Sequence, residues 1–67
     1  MDKKKFSKKI KLARVELDLT QTQLAQKINT KQKNISRYET GSSLPSIETL
    51  VKIASVLKKP VGYFFDE

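Results

Sequence analysis

Apolar side chains recur at helical spacing near both ends of this chain, which restricts it to a fold built from amphipathic helices. The first stripe, at i, i+4, i+7 and i+11, consists of Phe6, Ile10, Ala13 and Leu17. A second stripe follows Ser46, a residue type that caps helix N-termini, and consists of Ile47, Leu50, Val51, Ala54 and Leu57. These patterns predict a first helix over about residues 6–17 and a fourth after Ser46.

The segment between the stripes carries the start and stop signals of two more helices. In TQTQLAQKI, Thr20 and Gln23 have the spacing of a reciprocal capping box, which predicts a second helix over about 21–28. Asp18 stands where the first helix ends, and Asn29 stands where the second ends. Both residue types tolerate a positive φ. A third helix over 32–40 ends at Gly41, and a short last helix runs from Pro60 or Val61 to Phe65. The expected fold is all-α and compact, with five helices.

The third helix lies in the stretch NTKQKNISRYETG and has an unusually polar outer face. On a helical wheel, Ile35 and Tyr38 lie opposite a polar arc, which consists of Gln32, Lys33, Ser36, Arg37 and Thr40. A turn of two or three residues joins the second helix to the third, and the third has a polar outer face. This is the arrangement that places a recognition helix in the major groove of DNA. Gln pairs with adenine, and Lys and Arg donate to guanine, so Gln32, Lys33 and Arg37 suit base edges.

Composition narrows the possible functions. The 67 residues form one small domain, and they include no cysteine and no histidine, which removes disulfides, thiolate nucleophiles and the usual zinc ligands. We expect no enzyme activity, no metal or other cofactor and no small-molecule substrate. No apolar run approaches the roughly 20 residues that span a bilayer. We therefore predict a cytoplasmic protein without a membrane partner.

Charge points to a polyanionic partner. There are 14 Lys and Arg against 7 Asp and Glu, a net charge of +7 with a pI of about 9.9. The excess lies in residues 1–38, which contain lysines at 3, 4, 5, 8, 9 and 11. We divide the chain into a basic N-terminal arm, 1–5, and a DNA-binding domain, 6–67. The lysines either contact DNA as a flexible arm or only confer solubility.

The sequence also resembles the helix-turn-helix domains of lambdoid phage repressors, Cro proteins and Xre-type bacterial regulators. The similar stretches are TQTQLAQKI at 20–28, ISRYETG at 35–41, LPSIETL at 44–50 and IASVLKKPVGYFF at 53–65, together with Arg14. The resemblance implies a five-helix domain of the phage repressor type that binds an operator in double-stranded DNA. It also implies a homodimer, at least on DNA, that most often represses transcription.

The resemblance assigns roles to individual residues. Gln32, Lys33 and Arg37 fall on base-reading positions, and Arg14 and Glu39 match an ion pair that joins the first helix to the third. Gln21 contacts phosphate and also braces the recognition helix. The full set of expected phosphate contacts is Thr20, Gln21, Lys31, Asn34, Thr40 and Ser42. We expect the exposed aromatic cluster to form the dimer interface, through Tyr63, Phe64 and Phe65.

Some features depart from the family pattern or leave alternatives open. Lys31 stands where Ser or Thr often caps the recognition helix, which puts this cap in doubt and leaves the Lys31 cation to reach a phosphate or a base instead. One alternative function is an interaction module that keeps the helix-turn-helix shape but binds another protein, as an antitoxin binds its toxin. Another places the basic first helix on an anionic membrane surface, although its apolar stripe is needed to cover the core.

Overall fold

The computed structural model of the protein describes residues 2–65, and this part of the chain is all-helical, as predicted. Four α-helices are followed by a C-terminal 3₁₀ helix. In chain order they are α1 (Lys3–Glu16), α2 (Gln21–Lys27), α3 (Gln32–Thr40), α4 (Ile47–Leu57) and the 3₁₀ helix (Val61–Phe65). Within these residues, no helix has both the length and the apolar character needed to cross a bilayer.

Helix α1 begins three residues earlier than the apolar stripe indicated. The Asp2 carboxylate accepts hydrogen bonds from the backbone N–H groups of Lys4, at 2.9 Å, and Lys5, at 3.4 Å. This N-terminal cap extends the helix through the lysines, because it satisfies donors that an uncapped end leaves open. Residues 3–5, assigned to the basic N-terminal arm, are therefore the first turn of α1 and not a flexible segment. Met1, also assigned to the arm, lies outside the described residues.

The predicted helix boundaries in the middle of the chain are confirmed. The Thr20 hydroxyl accepts from the Gln23 backbone N–H at 3.0 Å, and the Gln23 side chain accepts from the Thr20 N–H at 2.8 Å. The residues that directly follow the C-caps of the first two helices have left-handed backbones, with φ of 56° at Asp18 and 59° at Asn29. Gly41 ends α3 with φ of 84°, and a Cβ there would lie 3.3 Å from the Ser7 hydroxyl of α1. Gly41 is therefore suited to both the turn and the close contact of α3 with α1.

The core lies between the inner faces of all five elements. Its fully buried members include Ile10, Leu24, Ile35 and Ile53. Three residues of the predicted stripes are instead exposed: Leu17, Ile47 and Val51. Leu17 ends α1 as its C-cap, outside the regular helical face. In α4, the buried face is centred on Leu50, Ile53, Ala54 and Leu57, so Ile47 and Val51 lie to one side of it, where no described residue covers them.

The 3₁₀ helix packs against α1 through its aromatic residues. Phe64 is 1% exposed, and its ring lies edge-on to Phe6 with centroids 6.3 Å apart. Phe65 is 42% exposed and also contacts Phe6, at 5.4 Å. The prediction that Phe64 forms a dimer interface is wrong, because its side chain fills the core of its own chain and is not available to a partner.

Candidate nucleic-acid interface

Helix α3 presents an exposed polar face and buries one side chain completely. Ile35 is fully buried, whereas Gln32, Lys33 and Arg37 are all exposed. Thr40 is exposed on the same face, and Ser36 is half-buried. The structure therefore brings the three predicted base-reading residues together on one surface. Two of them are cationic, and all three carry hydrogen-bond donors that suit nucleic-acid bases.

An ion pair attaches the end of α3 to α1. Arg14 Nε donates to Glu39 Oε2 at 2.6 Å, and Arg14 Nη2 donates to Glu39 Oε1 at 3.0 Å, which makes the pair bidentate. The two side chains are 11% and 3% exposed, respectively. A bidentate geometry fixes both the distance and the relative angle of the two groups. The pair therefore sets the position of the C-terminal half of α3 against α1.

Hydrogen bonds continue from this pair to the N-terminal end of α3. Gln21 Nε2, at the start of α2, donates to Glu39 Oε1 at 3.0 Å. Gln32 Nε2, at the start of α3, donates to Gln21 Oε1 at 2.7 Å. Arg14, Glu39, Gln21 and Gln32 thus form one chain of hydrogen bonds, which we call the polar relay. The relay orients the Gln32 amide on the exposed face and ties α3 to both preceding helices.

The remaining predicted phosphate contacts at the starts of α2 and α3 differ in whether their side chains already form hydrogen bonds within the protein. The Thr20 hydroxyl caps α2, and Asn34 Nδ2 donates to Thr30 Oγ1 at 2.9 Å, so both side chains already have local roles. Lys31 is exposed and makes no side-chain cap, as its residue type indicated. The N-terminus of α3 therefore keeps backbone donors that no side chain satisfies.

Thr40 and Ser42 form a second polar group at the opposite end of α3. Thr40 Oγ1 donates to the Arg37 carbonyl at 3.2 Å, and it lies 3.2 Å from Ser42 Oγ. The Ser42 backbone N–H also donates to Thr40 Oγ1, at 3.4 Å. Both residues are exposed. Predicted phosphate contacts thus lie near both ends of α3, the helix that carries the predicted base readers.

Sequence reasoning missed two contacts, one that supports this surface and one at the 3₁₀ helix. Arg14 Nη1 donates to the Leu19 carbonyl at 2.6 Å, so the guanidinium also holds the turn between α1 and α2. A backbone acceptor has no signature in the sequence. Tyr63, expected at a dimer interface, is half-buried, with Lys9 Nζ 5.1 Å and Lys59 Nζ 4.8 Å from its ring centre. Lys9 is distant from Tyr63 in the chain, so spacing gave no signal of that contact, whereas Lys59 lies only four residues before Tyr63.

The structure offers no sign of a metal centre in the part of the chain that it describes. No group of three or more acidic side chains lies close enough to hold an ion among those residues.

Comparisons with known proteins agree with this geometry. The family model described as Helix-turn-helix matches residues 10–64. The cryptic phage CTXphi transcriptional repressor RstR of Vibrio cholerae is 38% identical over 57 residues, which cover 85% of this chain and 51% of the relative. Multiprotein-bridging factor 1a of Arabidopsis thaliana is 42% identical over 52 residues, which cover 78% of this chain and 37% of the relative. The chain thus spans about half the length, or less, of these curated relatives.

A solved structure has the same fold. The crystal structure of Bacillus thuringiensis PlcR in complex with the peptide PapR7 and DNA superposes with a TM-score of 0.85 at 39% sequence identity. The superposition covers 92% of this chain and 22% of the PlcR chain. Nearly all of the present chain therefore corresponds to one domain-sized part of that larger protein.

Proposed function

We propose, from the premise that this chain belongs to the helix-turn-helix family of the phage repressor, Cro and Xre type, that it is a sequence-specific DNA-binding transcriptional regulator. Helix α3 enters the major groove of an operator. The observation that carries this proposal is the exposed polar face of α3, held to α1 and α2 by the polar relay. Repression is the regulatory outcome that we propose, supported by the similarity to the phage repressor RstR.

Gln32, Lys33 and Arg37 read the bases. The Gln32 amide donates one N–H to Gln21, which leaves its carbonyl oxygen and its second N–H for a bidentate contact with adenine. Lys33 and Arg37 provide donors for the guanine acceptors. Because the relay fixes Gln32 before DNA arrives, less side-chain freedom is lost on binding.

Backbone phosphates are held at both ends of α3 and at the start of α2. Lys31, Thr40 and Ser42 are exposed there, Thr20 and Gln21 lie at the start of α2, and Asn34 lies in the first turn of α3. The lysines of α1 add a sequence-independent attraction to the duplex. The role of the protein is binding rather than catalysis, and we place it in the cytoplasm, where an operator is accessible.

The operator complex is a homodimer, with the second copy docked on an apolar strip formed by Leu44, Ile47 and Val51. These side chains are 46%, 76% and 51% exposed, respectively. Glu48 and Lys52 lie beside the strip and pair with each other at 3.9 Å across one helical turn, and a two-fold arrangement can exchange these partners between the copies. The strip begins at Leu44, four residues after α3 ends at Thr40, so the proposed interface lies close in the chain to the end of α3.

The DNA-binding test starts with selection of bound duplexes from a random pool, followed by affinity measurements on matched and single-mismatch duplexes. Gln32→Ala or Arg37→Ala should reduce discrimination at one or two positions by about 1–3 kcal/mol. Changing Lys3, Lys4 and Lys5 together to Ala should weaken binding to all duplexes alike and flatten the salt dependence, by about 0.9 in slope per lost phosphate contact.

Two results would contradict the DNA-binding proposal. If the Gln32 and Arg37 variants lose affinity uniformly and keep the wild-type ranking of duplexes, α3 does not read bases. If selection yields no preferred sequence at all, the chain is better explained as a protein-interaction module of the antitoxin kind.

The dimer is tested with two valines of equal exposure. Val51 in the strip and Val15 on the outer face of α1 are both 51% exposed. Val51→Ser should reduce cooperative binding to a two-half-site operator with half-sites about 10 base pairs apart, whereas Val15→Ser should not. Footprints that protect one unrepeated half-site with a single bound monomer would contradict the dimer, and equal effects of the two variants would contradict the strip.

A further inference from the structure

An open groove lies away from the proposed DNA-binding face, where the C-terminal ends of α1, α2 and α4 meet. It encloses about 500 Å³ and is lined by Leu17, Leu19, Lys27, Val56 and Lys58. None of the proposed base or phosphate contacts lines it. Its volume lies within the range of about 300–1,000 Å³ that is typical of ligand-binding sites in proteins.

The groove combines an apolar floor with a cationic rim. Leu17 is 37% exposed, and Leu19 and Val56 are half-buried against the core. Lys27 and Lys58 are exposed, and neither ammonium has an ion-pair partner within residues 2–65. The neighbouring Lys59, by contrast, pairs with Glu16 at 3.4 Å. An apolar centre with a polar rim is the usual anatomy of a protein interface, and here the rim has one sign of charge.

The backbone at Lys58 adds an independent observation. Lys58 ends α4 with φ of 59°, a left-handed conformation that glycine adopts without strain and lysine does not. The chain therefore places a cation on the groove rim at a position where the helix end favours glycine. A lysine kept at such a position is a reason to look for a role of its side chain beyond the fold.

The groove extends along α2. A second open cavity, also about 500 Å³, shares Leu19 and Lys27 with the first and continues past Gln23 and Gln26. The two cavities together form an elongated surface. One half is apolar, the other is lined by the side-chain amides of Gln23 and Gln26, and Lys27 lies where the two halves meet. Such a shape suits a peptide segment better than a small compact ligand.

We propose that this groove binds an acidic segment of a partner protein, with apolar side chains seated on Leu17, Leu19 and Val56. Carboxylates of the segment pair with Lys27 and Lys58. Charge complementarity selects this occupant, because the lining contains two cations and no acidic residue. The interaction is separate from DNA reading, since the groove and α3 share no residues, so either proposal can fail without the other.

The probe is a fluorescein-labelled synthetic peptide of Asp and Leu residues, compared with a matched peptide in which every Asp is Asn. Binding is measured by fluorescence anisotropy and mapped by backbone amide chemical shifts on the full chain. The acidic peptide should bind, with shifts concentrated at the groove residues. Lys27→Glu should weaken binding by about fivefold or more, whereas Lys8→Glu, at an exposed lysine outside the groove, should have much less effect.

Lys58→Gly separates binding from folding. Glycine relieves the left-handed strain, so the thermal midpoint should rise while affinity for the acidic peptide falls. A purely structural role for Lys58 predicts no loss of peptide affinity in a variant that is more stable. A higher thermal midpoint together with a lower peptide affinity is therefore expected only if the Lys58 ammonium contacts the peptide.

Three results would overturn the proposal. The first is equal binding of the acidic and the Asn peptides, and the second is an absence of groove shifts up to millimolar acidic peptide. The third is a set of shifts confined to α3, which would mean that the peptide only imitates DNA phosphates.

Discussion

Helices α3 and α4 are neighbours in the chain and similar in length, with nine and eleven residues, but they are held in place by different interactions. Helix α4 buries four apolar side chains, whereas α3 buries only Ile35. Helix α3 is instead tied at both ends, by Glu39 to Arg14 and by Gln32 to Gln21.

The difference shows what each helix contributes. Apolar burial is strong but has no preferred direction, so it fixes α4 in the core without constraining its outer face. Hydrogen bonds are individually weaker and depend on angle, so they fix the orientation of α3. A helix that must present a defined set of side chains to a partner needs orientation, and the polar relay provides it.

The largest expected effect is on α4. Ile53 is fully buried, so Ile53→Ala should lower the free energy of unfolding by about 4 kcal/mol, through lost apolar burial and the cavity that remains. Urea denaturation measures this change, and Ile53→Val provides a control with an expected loss of about 1 kcal/mol. Below its unfolding transition, the Ala variant should keep the wild-type ranking of duplexes. A changed ranking would mean that α4 also orients the recognition face.

Glu39→Ala should have the next largest effect, because it leaves the Arg14 guanidinium largely buried without its carboxylate. The free energy of unfolding should fall by about 3 kcal/mol. Arg14→Met combined with Glu39→Leu should recover much of this loss, because replacing both partners leaves no uncompensated charge. A double-mutant cycle with no coupling between the two sites would show that the pair does not stabilise the fold.

Most of the fold was predictable from local chemistry. Thr20, Ser46 and Gly41 mark helix ends, and these signals depend only on residues a few positions away. The left-handed conformations at Asp18 and Asn29 follow from the same short-range preferences. The bounds of α3 could therefore be predicted from the sequence, together with the polar face that it presents.

Most of the errors concern packing between distant segments. Periodicity assigned Ile47 and Val51 to the core, but the width of the buried face depends on which helices cover α4, and one sequence does not contain that information. Phe64 was misassigned for the related reason that its cover comes from Phe6, far away in the chain. The cap at Asp2 was missed because the lysines that follow it lack an apolar period.

Gln21 links the two ends of α3 and should have a smaller effect on stability than Glu39. Gln21→Ala removes the hydrogen bonds to Glu39 and Gln32, and we expect a loss of about 1.5 kcal/mol in the free energy of unfolding. The relay also predicts a functional effect, because the Gln32 amide loses its fixed orientation. Discrimination at the base pair read by Gln32 should fall. If Gln21→Ala weakens binding to all duplexes equally, Gln21 is only a phosphate contact.

The smallest expected effect lies where α1 meets the end of α3. Ser7 is 3% exposed, and its hydroxyl has no hydrogen-bond partner among the described residues, although it faces Gly41. Burying a polar group without a partner is unfavourable, so Ser7→Ala should raise the free energy of unfolding by about 1 kcal/mol. Ser46→Ala is the matched control and should lower it by about 1 kcal/mol, because Ser46 Oγ caps α4 by accepting from the Thr49 backbone N–H at 3.1 Å. Opposite shifts of the thermal midpoint would show that the contact between α1 and α3 tolerates a polar group rather than needing it. Destabilisation by both substitutions would contradict the cost that we assign to the buried, unpaired Ser7 hydroxyl.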